Sequence, residues 1–189
     1  MASRRDFPLP ADLPRPVDDG ACRHLPGLAL PAIALPSTLG GSIDLSKRAA
    51  PRSVIYAYPR TGAPDRPLPA GWDAIPGARG CTPQSCSFRD HHAELAALGA
   101  EVFGLSTQTP EYQREMATRL HLPFAVLSDA GFALTEALRL PTFTVEGMRL
   151  IRRLTLIIRG GRIEDVLYPV FPPDRSAAET LGWLRAHPL

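Results

Sequence analysis

The stretch Gly80-Cys81-Thr82-Pro83-Gln84-Ser85-Cys86-Ser87-Phe88-Arg89-Asp90 decides how this chain is read. It sets two cysteines five residues apart where a loop gives way to a helix. Thr82 is a good N-cap, and Pro83 is pre-set for the first helical position. Phe88, Leu95 and Leu98 recur at helical spacing and Gly99 is a stop signal, which predicts a helix over about 82–98. Cys81 then meets the positive end of that helix, where unpaired N–H groups favour an anion and so a thiolate. Cys86 lies on the same helix as a candidate redox partner. Five residues of helix advance about 7.5 Å and turn the second side chain away from the first. A disulfide needs Cα atoms about 4.4–6.8 Å apart. The pair therefore cannot bond while the helix is intact, which suits a bridge that closes only during a reaction cycle. The plainer alternative is two small hydrophobes that are neighbours without purpose.

Outward from this segment, the chain has 189 residues, enough for one domain with a full core. Charged residues make up 21% and the net charge is +2, too little to argue for nucleic acid or an anionic membrane as a partner. No apolar run approaches a membrane span, and Met1–Pro8 lacks the apolar region of a signal peptide, so the expected location is the cytoplasm. Three cysteines do not make a disulfide framework, and a close pair in a cytosolic chain leans towards catalysis or metal. Proline is the outlier, with 21 residues. Many are early, and residues 1–25 read as an extended tail holding Cys22, ahead of one domain over 26–189.

The order of elements is α/β. Ala29–Leu35 and Ser42–Leu45 read as short strands joined at Gly40-Gly41. Ser53–Tyr58 reads as a buried strand ending at Pro59, and a long proline-containing loop runs from Arg60 to Gly80. After the cysteine helix come a strand over Glu101–Ser106, a helix opened by Thr109-Pro110, a strand over Phe124–Leu127 and a short helix over Gly131–Leu140. Leu150–Ile158 and Arg162–Val170 read as a hairpin turning at Gly160-Gly161. Ser176-Ala177-Ala178-Glu179 reads as a capping box opening the last helix. A mixed sheet covered by helices follows, with the reactive cysteine at the end of a central strand.

In these residues the chain resembles the peroxiredoxins, in particular the Q-type branch once called bacterioferritin comigratory proteins. The resemblance runs from about Gly27 to Leu184. Its sharpest part is the cysteine segment, which is similar to the family's G-C-T-x-x-x-C-x-F-R-D run. Tyr58-Pro59, Leu127-Ser128-Asp129 and Arg153-Leu154-Thr155-Leu156-Ile157-Ile158 resemble further family motifs in the same order. The resemblance implies a thioredoxin-like fold with an extra N-terminal hairpin. It implies a thiol peroxidase in which Cys81 is peroxidatic, Cys86 is resolving and Arg153 holds the thiolate and a peroxide oxygen. Hydrogen peroxide or an organic hydroperoxide would be the substrate. Thioredoxin or a glutaredoxin-like dithiol would be the reductant, with no cofactor and no metal, in a monomer or homodimer.

The chain departs from the pattern upstream of Cys81. The family usually carries a hydroxyl three residues before the peroxidatic cysteine and a proline four before that, where this chain has Ala78 and Ala74. Pro59 and Thr61, before the long loop, are the candidates to shelter the thiolate and supply the missing hydroxyl, and Thr82 is a second hydroxyl. Strand alternation would send Arg152 and Arg153 to opposite faces, and the resemblance chooses Arg153. Trp72 either caps the pocket or packs the loop down. Two other functions compete. A thiol–disulfide oxidoreductase of the same fold would carry C-x-x-C and a proline before the facing strand, and Met148–Ile158 has no proline. A metal-binding module would use Cys81, Cys86, His91 and His92, but five-residue steps on one helix do not converge on a tetrahedron.

Overall fold

A computed structural model describes residues 9–189 of the chain, so the first part of the expected tail lies outside the described residues. The strands are β1 (Ala34–Pro36), β2 (Ser42–Asp44), β3 (Arg52–Ala57), β4 (Ala100–Ser106), β5 (Val126–Ser128), β6 (Thr142–Val145), β7 (Met148–Ile151), β8 (Leu154–Arg159) and β9 (Arg162–Leu167). The helices are α1 (Cys81–Asp90), α2 (His92–Ala97), α3 (Pro110–Arg119), α4 (Ala133–Leu138) and α5 (Ser176–Ala186).

The central sheet has the order β5-β4-β3-β8-β9, parallel across β3, β4 and β5 and antiparallel across β3, β8 and β9. All six residues of β3 are buried, as a central strand covered on both faces requires. The period of two divides its side chains between two cores. Ile55 and Ala57 join Leu25, Leu35, Leu134, Leu138 and Leu156 on one face. Val54, Tyr56 and Tyr58 join Cys81, Cys86, Phe88, Leu95, Met116 and Leu181 on the other. Thus α1, α2, α3 and α5 cover one face, while α4 and the N-terminal hairpin cover the other. Burying an aliphatic side chain such as Ile55 contributes about 1.5–3 kcal/mol. A third cluster fixes the long loop, with Trp72 and Ala78 packed against Val145 and Leu150 of the β6–β7 hairpin.

The N-terminal stretch wraps over this body. Tyr168 donates its hydroxyl to Asp19 at 3.0 Å, and Arg15 lies 5.5 Å from the centre of the Phe171 ring. No change in packing marks residue 25, because Cys22 and Leu25 are both buried in the first core.

Four local expectations need correction. The helix begins at Cys81, one residue before Thr82, with Gly80 as its N-cap at φ 102° and no side-chain cap. Pro83 is then third in the first turn, where its missing N–H is still harmless. The expected 82–98 helix is two, α1 and α2, separated at His91 (φ −100°, ψ 7°). The expected strand 150–158 is also two, since β7 pairs with β6 in a separate hairpin and the chain leaves the strand ladders at Arg152-Arg153, where the Arg152 amide donates to the Pro141 carbonyl at 2.8 Å, before β8 joins the central sheet. Finally, Ser176 is no N-cap. A 3₁₀ turn, Pro173–Arg175, leads directly into α5, which puts Ser176 inside the helix and leaves its hydroxyl to other partners.

Gly80 is the backbone hinge of the site. A Cβ there would fall 2.3 Å from Pro173 Cγ, in a conformation that side chains rarely adopt. Gly80→Ala is expected to lower stability by about 1–3 kcal/mol for the strained backbone alone. Urea denaturation should show the loss as a lower midpoint at unchanged slope.

Candidate active site

Three segments meet at Cys81. The loop end Gly77–Gly80 delivers it, the first turn of α1 carries it, and the crossing from β7 to β8 brings Arg153 to it. Arg153 Nη2 donates to Cys81 Sγ at 3.1 Å, in a pocket where both residues are only 3% exposed. The same nitrogen donates to the carbonyls of Ala78 and Arg79, each at 3.1 Å, and Nε donates to Gly77 at 3.3 Å. Nη1 donates to Gln84 Oε1. Cys81 Sγ lies 3.5 Å from the Ala78 carbonyl. The sulfur therefore sits between an acceptor that suits the thiol and a guanidinium donor that suits the thiolate. As the first residue of α1 it also borders the unpaired N–H groups of that turn.

Gln84 links the guanidinium to the rest of the fold. Its Nε2 donates to Ser176 Oγ at 3.2 Å, and that hydroxyl lies 3.5 Å from Thr155 Oγ1 on β8. Sequence reading missed this relay. Gln84 stands three residues after Cys81, on the same helical face, and that spacing was a usable signal. Ser176 carried none, because its nearness comes from the packing of α5 on α1.

Thr61 and Cys81 line one cavity of about 430 Å³, and Pro59 is buried just upstream. Thr61 is clamped by Gln108, whose Oε1 accepts from the Thr61 amide at 3.0 Å and from its hydroxyl at 3.2 Å. Its hydroxyl proton is thus committed away from Cys81, and only its lone pairs remain to accept. Thr82 lines the cavity as well, and so does Trp72. Trp72 also packs the loop, with its ring centre 6.2 Å from that of Phe143.

Cys86 is fully buried in the second core, and no disulfide joins it to Cys81. Cys22 is remote in kind: burial, with help from Asp19 and Asp18, pushes its thiol up to about 12. Arg152, the discarded alternative, donates from Nε to the Thr142 carbonyl at 3.4 Å. The two helix histidines have partners other than the cysteines. His91 Nδ1 is 2.8 Å from Glu94 Oε1, His92 rests 5.7 Å from the Phe124 ring centre, and among the described residues no three His, Cys, Asp or Glu side chains gather to hold an ion.

Known proteins resemble this chain in sequence and in fold. The family model described as Redoxin matches residues 25–181. Peroxiredoxin Q of Populus jackii chloroplasts is 29% identical over 160 residues, covering 85% of this chain and 68% of its own length. The chloroplast peroxiredoxin Q of Sedum lineare is 29% identical over 160 residues, covering 85% of this chain and 77% of its own. The crystal structure of peroxidoxin BcpB from Mycobacterium tuberculosis superposes with a TM-score of 0.71 at 25% identity, over 87% of this chain and 99% of that one. Xanthomonas campestris peroxiredoxin Q shares the fold, with a TM-score of 0.66 at 24% identity over 85% of this chain and 96% of that one. The chain belongs to the redoxin family, as a peroxiredoxin of the Q-type branch and thus a thiol peroxidase. Its central mixed sheet, flanking helices and N-terminal hairpin are those of the thioredoxin-like peroxiredoxin fold.

The two classes of thiol should separate chemically. Iodoacetamide on the native protein should label Cys81 first and spare Cys22 until denaturant is added. Arg153→Met should slow the labelling of Cys81 by about tenfold or more, the scale of a charge-assisted hydrogen bond of about 1.5–3 kcal/mol. Peptide mapping reads both outcomes, and equal labelling of Cys22 and Cys81 in the native state would contradict them.

Proposed function

We propose that Cys81 is the peroxidatic cysteine of this thiol peroxidase and that Cys86 is its intrachain resolving cysteine. The observation that carries the reading is the Arg153 Nη2 to Cys81 Sγ contact of 3.1 Å, at the first turn of a helix that opens on a cavity. The Cys81 thiolate attacks one oxygen of the peroxide. The O–O bond breaks, that oxygen stays on sulfur as a sulfenic acid, and the other oxygen leaves with its substituent and takes up a proton as water or alcohol. Arg153 stabilises the thiolate before attack and the negative oxygen that departs. Gln84 is a positioning residue, since it acts through Arg153.

The Cys86 thiol then displaces the sulfenic oxygen as water and forms the Cys81–Cys86 bridge. Both cysteines lie on α1, five positions apart, or about 7.5 Å along the axis. The bridge needs Cα atoms about 4.4–6.8 Å apart. The first turns of α1 must therefore unwind in each cycle. A dithiol of the thioredoxin or glutaredoxin class reopens the bridge by exchange, which suits a reducing compartment such as the cytoplasm. All of the groups named here lie on one chain, so a monomer suffices. We assign Pro59 and Thr61 to the shelter of the thiolate, with Thr61 accepting a hydrogen bond from the incoming peroxide because its own proton goes to Gln108.

Intact mass spectrometry after one equivalent of peroxide should find a loss of two hydrogens, and peptide mapping should place the bridge between Cys81 and Cys86. Cys81→Ser should abolish peroxide consumption, and Cys86→Ser should stop after one turnover with an oxidised Cys81. A bridge to Cys22 would redraw the pairing. Stoichiometric zinc or copper without peroxide consumption would overturn the whole reading.

Thr61→Val keeps the volume and removes the acceptor. It should lower kcat/KM for peroxide by about tenfold, corresponding to about 1.4 kcal/mol. Unchanged turnover would remove Thr61 from the site.

A further inference from the structure

The segment from Leu9 to Gly20 takes no part in the chemistry proposed above, yet it crosses the backbone that delivers Cys81. It contains no strand or helix. Pro10, Pro14 and Pro16 lack amide donors and restrict the chain, so it does not extend a sheet and loses less entropy when held in place. Its far end is fixed. Cys22 and Leu25 are buried in the first core, and His24 Nε2 lies 2.9 Å from the Leu138 carbonyl. Its middle is held more lightly. Asp19 accepts from the Tyr168 hydroxyl at 3.0 Å, and the exposed Arg15 lies 5.5 Å from the centre of the Phe171 ring. Both partners belong to the link between β9 and the 3₁₀ turn before α5.

Towards its start the segment reaches the active site. Pro16 packs on Gly77, where an added Cβ would lie 3.6 Å from the proline ring. Pro16 also lines a narrow cleft with Arg153 and Tyr168. Leu9 packs on Gly80, where an added Cβ would lie 3.0 Å from Leu9 Cδ2. Leu9 also joins Arg60, Arg66 and Arg79 in the wall of the cavity at Cys81. Gly77 and Gly80 bracket the Ala78 and Arg79 carbonyls that hold Arg153. The Gly80 carbonyl also accepts the Gln84 amide at 3.0 Å, the hydrogen bond that closes the first turn of α1. The segment thus rests on the two glycines that flank the backbone due to move when that turn unwinds.

We propose that Leu9–Gly20 is a strap that restrains the unwinding of α1 and so slows the step from the Cys81 sulfenic acid to the bridge. The proposal rests on Cys81 and Cys86 being the peroxidatic and resolving cysteines. The restraint lengthens the life of the sulfenic acid. In that interval the sulfenic sulfur can attack a second peroxide. The O–O bond breaks, one oxygen stays on sulfur as sulfinic acid, and the other leaves with its substituent as water or alcohol. The strap therefore sets how readily Cys81 is lost to overoxidation.

The test uses the full chain and the double variant Arg15→Gln/Tyr168→Phe, which loosens the strap without altering Cys81, Arg153 or Gln84. In the reduced protein, hydrogen exchange at the Gln84 amide should quicken by about tenfold, the scale of two lost surface contacts. Rapid-quench mass spectrometry should show the bridge forming faster by about the same factor, while sulfenic acid forms at an unchanged rate. The peroxide concentration that converts half of Cys81 to sulfinic acid should rise in proportion. Should the double variant not fold, as judged by circular dichroism, Tyr168→Phe alone carries the comparison, because it removes one hydroxyl. Unchanged exchange with unchanged bridge formation would overturn the proposal, and so would a slower bridge. If the native chain forms no Cys81–Cys86 bridge, the reading of Cys86 fails instead. Exchange at Gln84 still tests the strap in that case, so the two failures are told apart.

Discussion

The buried guanidinium of Arg153 is the constraint on which the site depends. A cation taken out of water is costly unless its donors are used. Here they are used by three successive loop carbonyls, by Gln84 and by the Cys81 sulfur. The consequences run both ways. The carbonyls of Gly77, Ala78 and Arg79 hold the guanidinium still, and the guanidinium closes the end of a loop of some twenty residues onto the helix it introduces. Ala78 contributes through its backbone, and in that role no side-chain hydroxyl is required of it.

This explains which parts of the fold were legible in the sequence. Strand β3, the N-cap at Thr109 and the Gly160-Gly161 turn depend on neighbours a few residues away, and local pattern describes them well. The run Leu150–Ile158 has strand composition throughout, but the pull of Arg153 towards the loop carbonyls interrupts it, and those carbonyls lie 74–76 residues away in sequence. Ser176 has the local signature of a helix cap, yet its hydroxyl is wanted by Gln84, 92 residues away. Where a side chain had a distant buried partner, that partner prevailed over the local signal.

The site divides along the same line. Cys81 and Arg153 are named by the motif around them, and the structure brings the two together. Gln84, Gln108 and Tyr112 were missed because each acts by positioning something else. Gln108 fixes Thr61, and Tyr112 fixes the Thr61 carbonyl while carrying two arginines. Apart from the three-residue step from Cys81 to Gln84, composition and spacing do not record a glutamine amide whose value lies in where it holds a neighbour. The basic wall of the cavity was hidden for the same reason. Arg60 and Arg66 are two ordinary loop arginines in the sequence, and only the structure sets both against the Tyr112 ring, at 5.1 and 6.0 Å from its centre.

Closing a bridge between Cys81 and Cys86 also has an energetic side. Cys86 is buried with Phe88 and Cys81 in the second core, so the packing that holds Cys81 in place also opposes the proposed bridge. The opposition is weaker than the burial suggests. The helix is short, ending after ten residues at His91. The proposed chemistry lowers the remaining cost at the right moment. A thiolate is drawn to Arg153 by charge, whereas a neutral sulfenic acid is not, so oxidation removes the strongest tie on the first turn of α1. In the reduced state that tie favours the closed helix and a reactive Cys81. In the oxidised state its loss favours unwinding, which brings Cys86 within bonding distance. In the proposed cycle one contact, between Arg153 and Cys81, thereby serves both the attack on peroxide and the timing of the conformational change that follows.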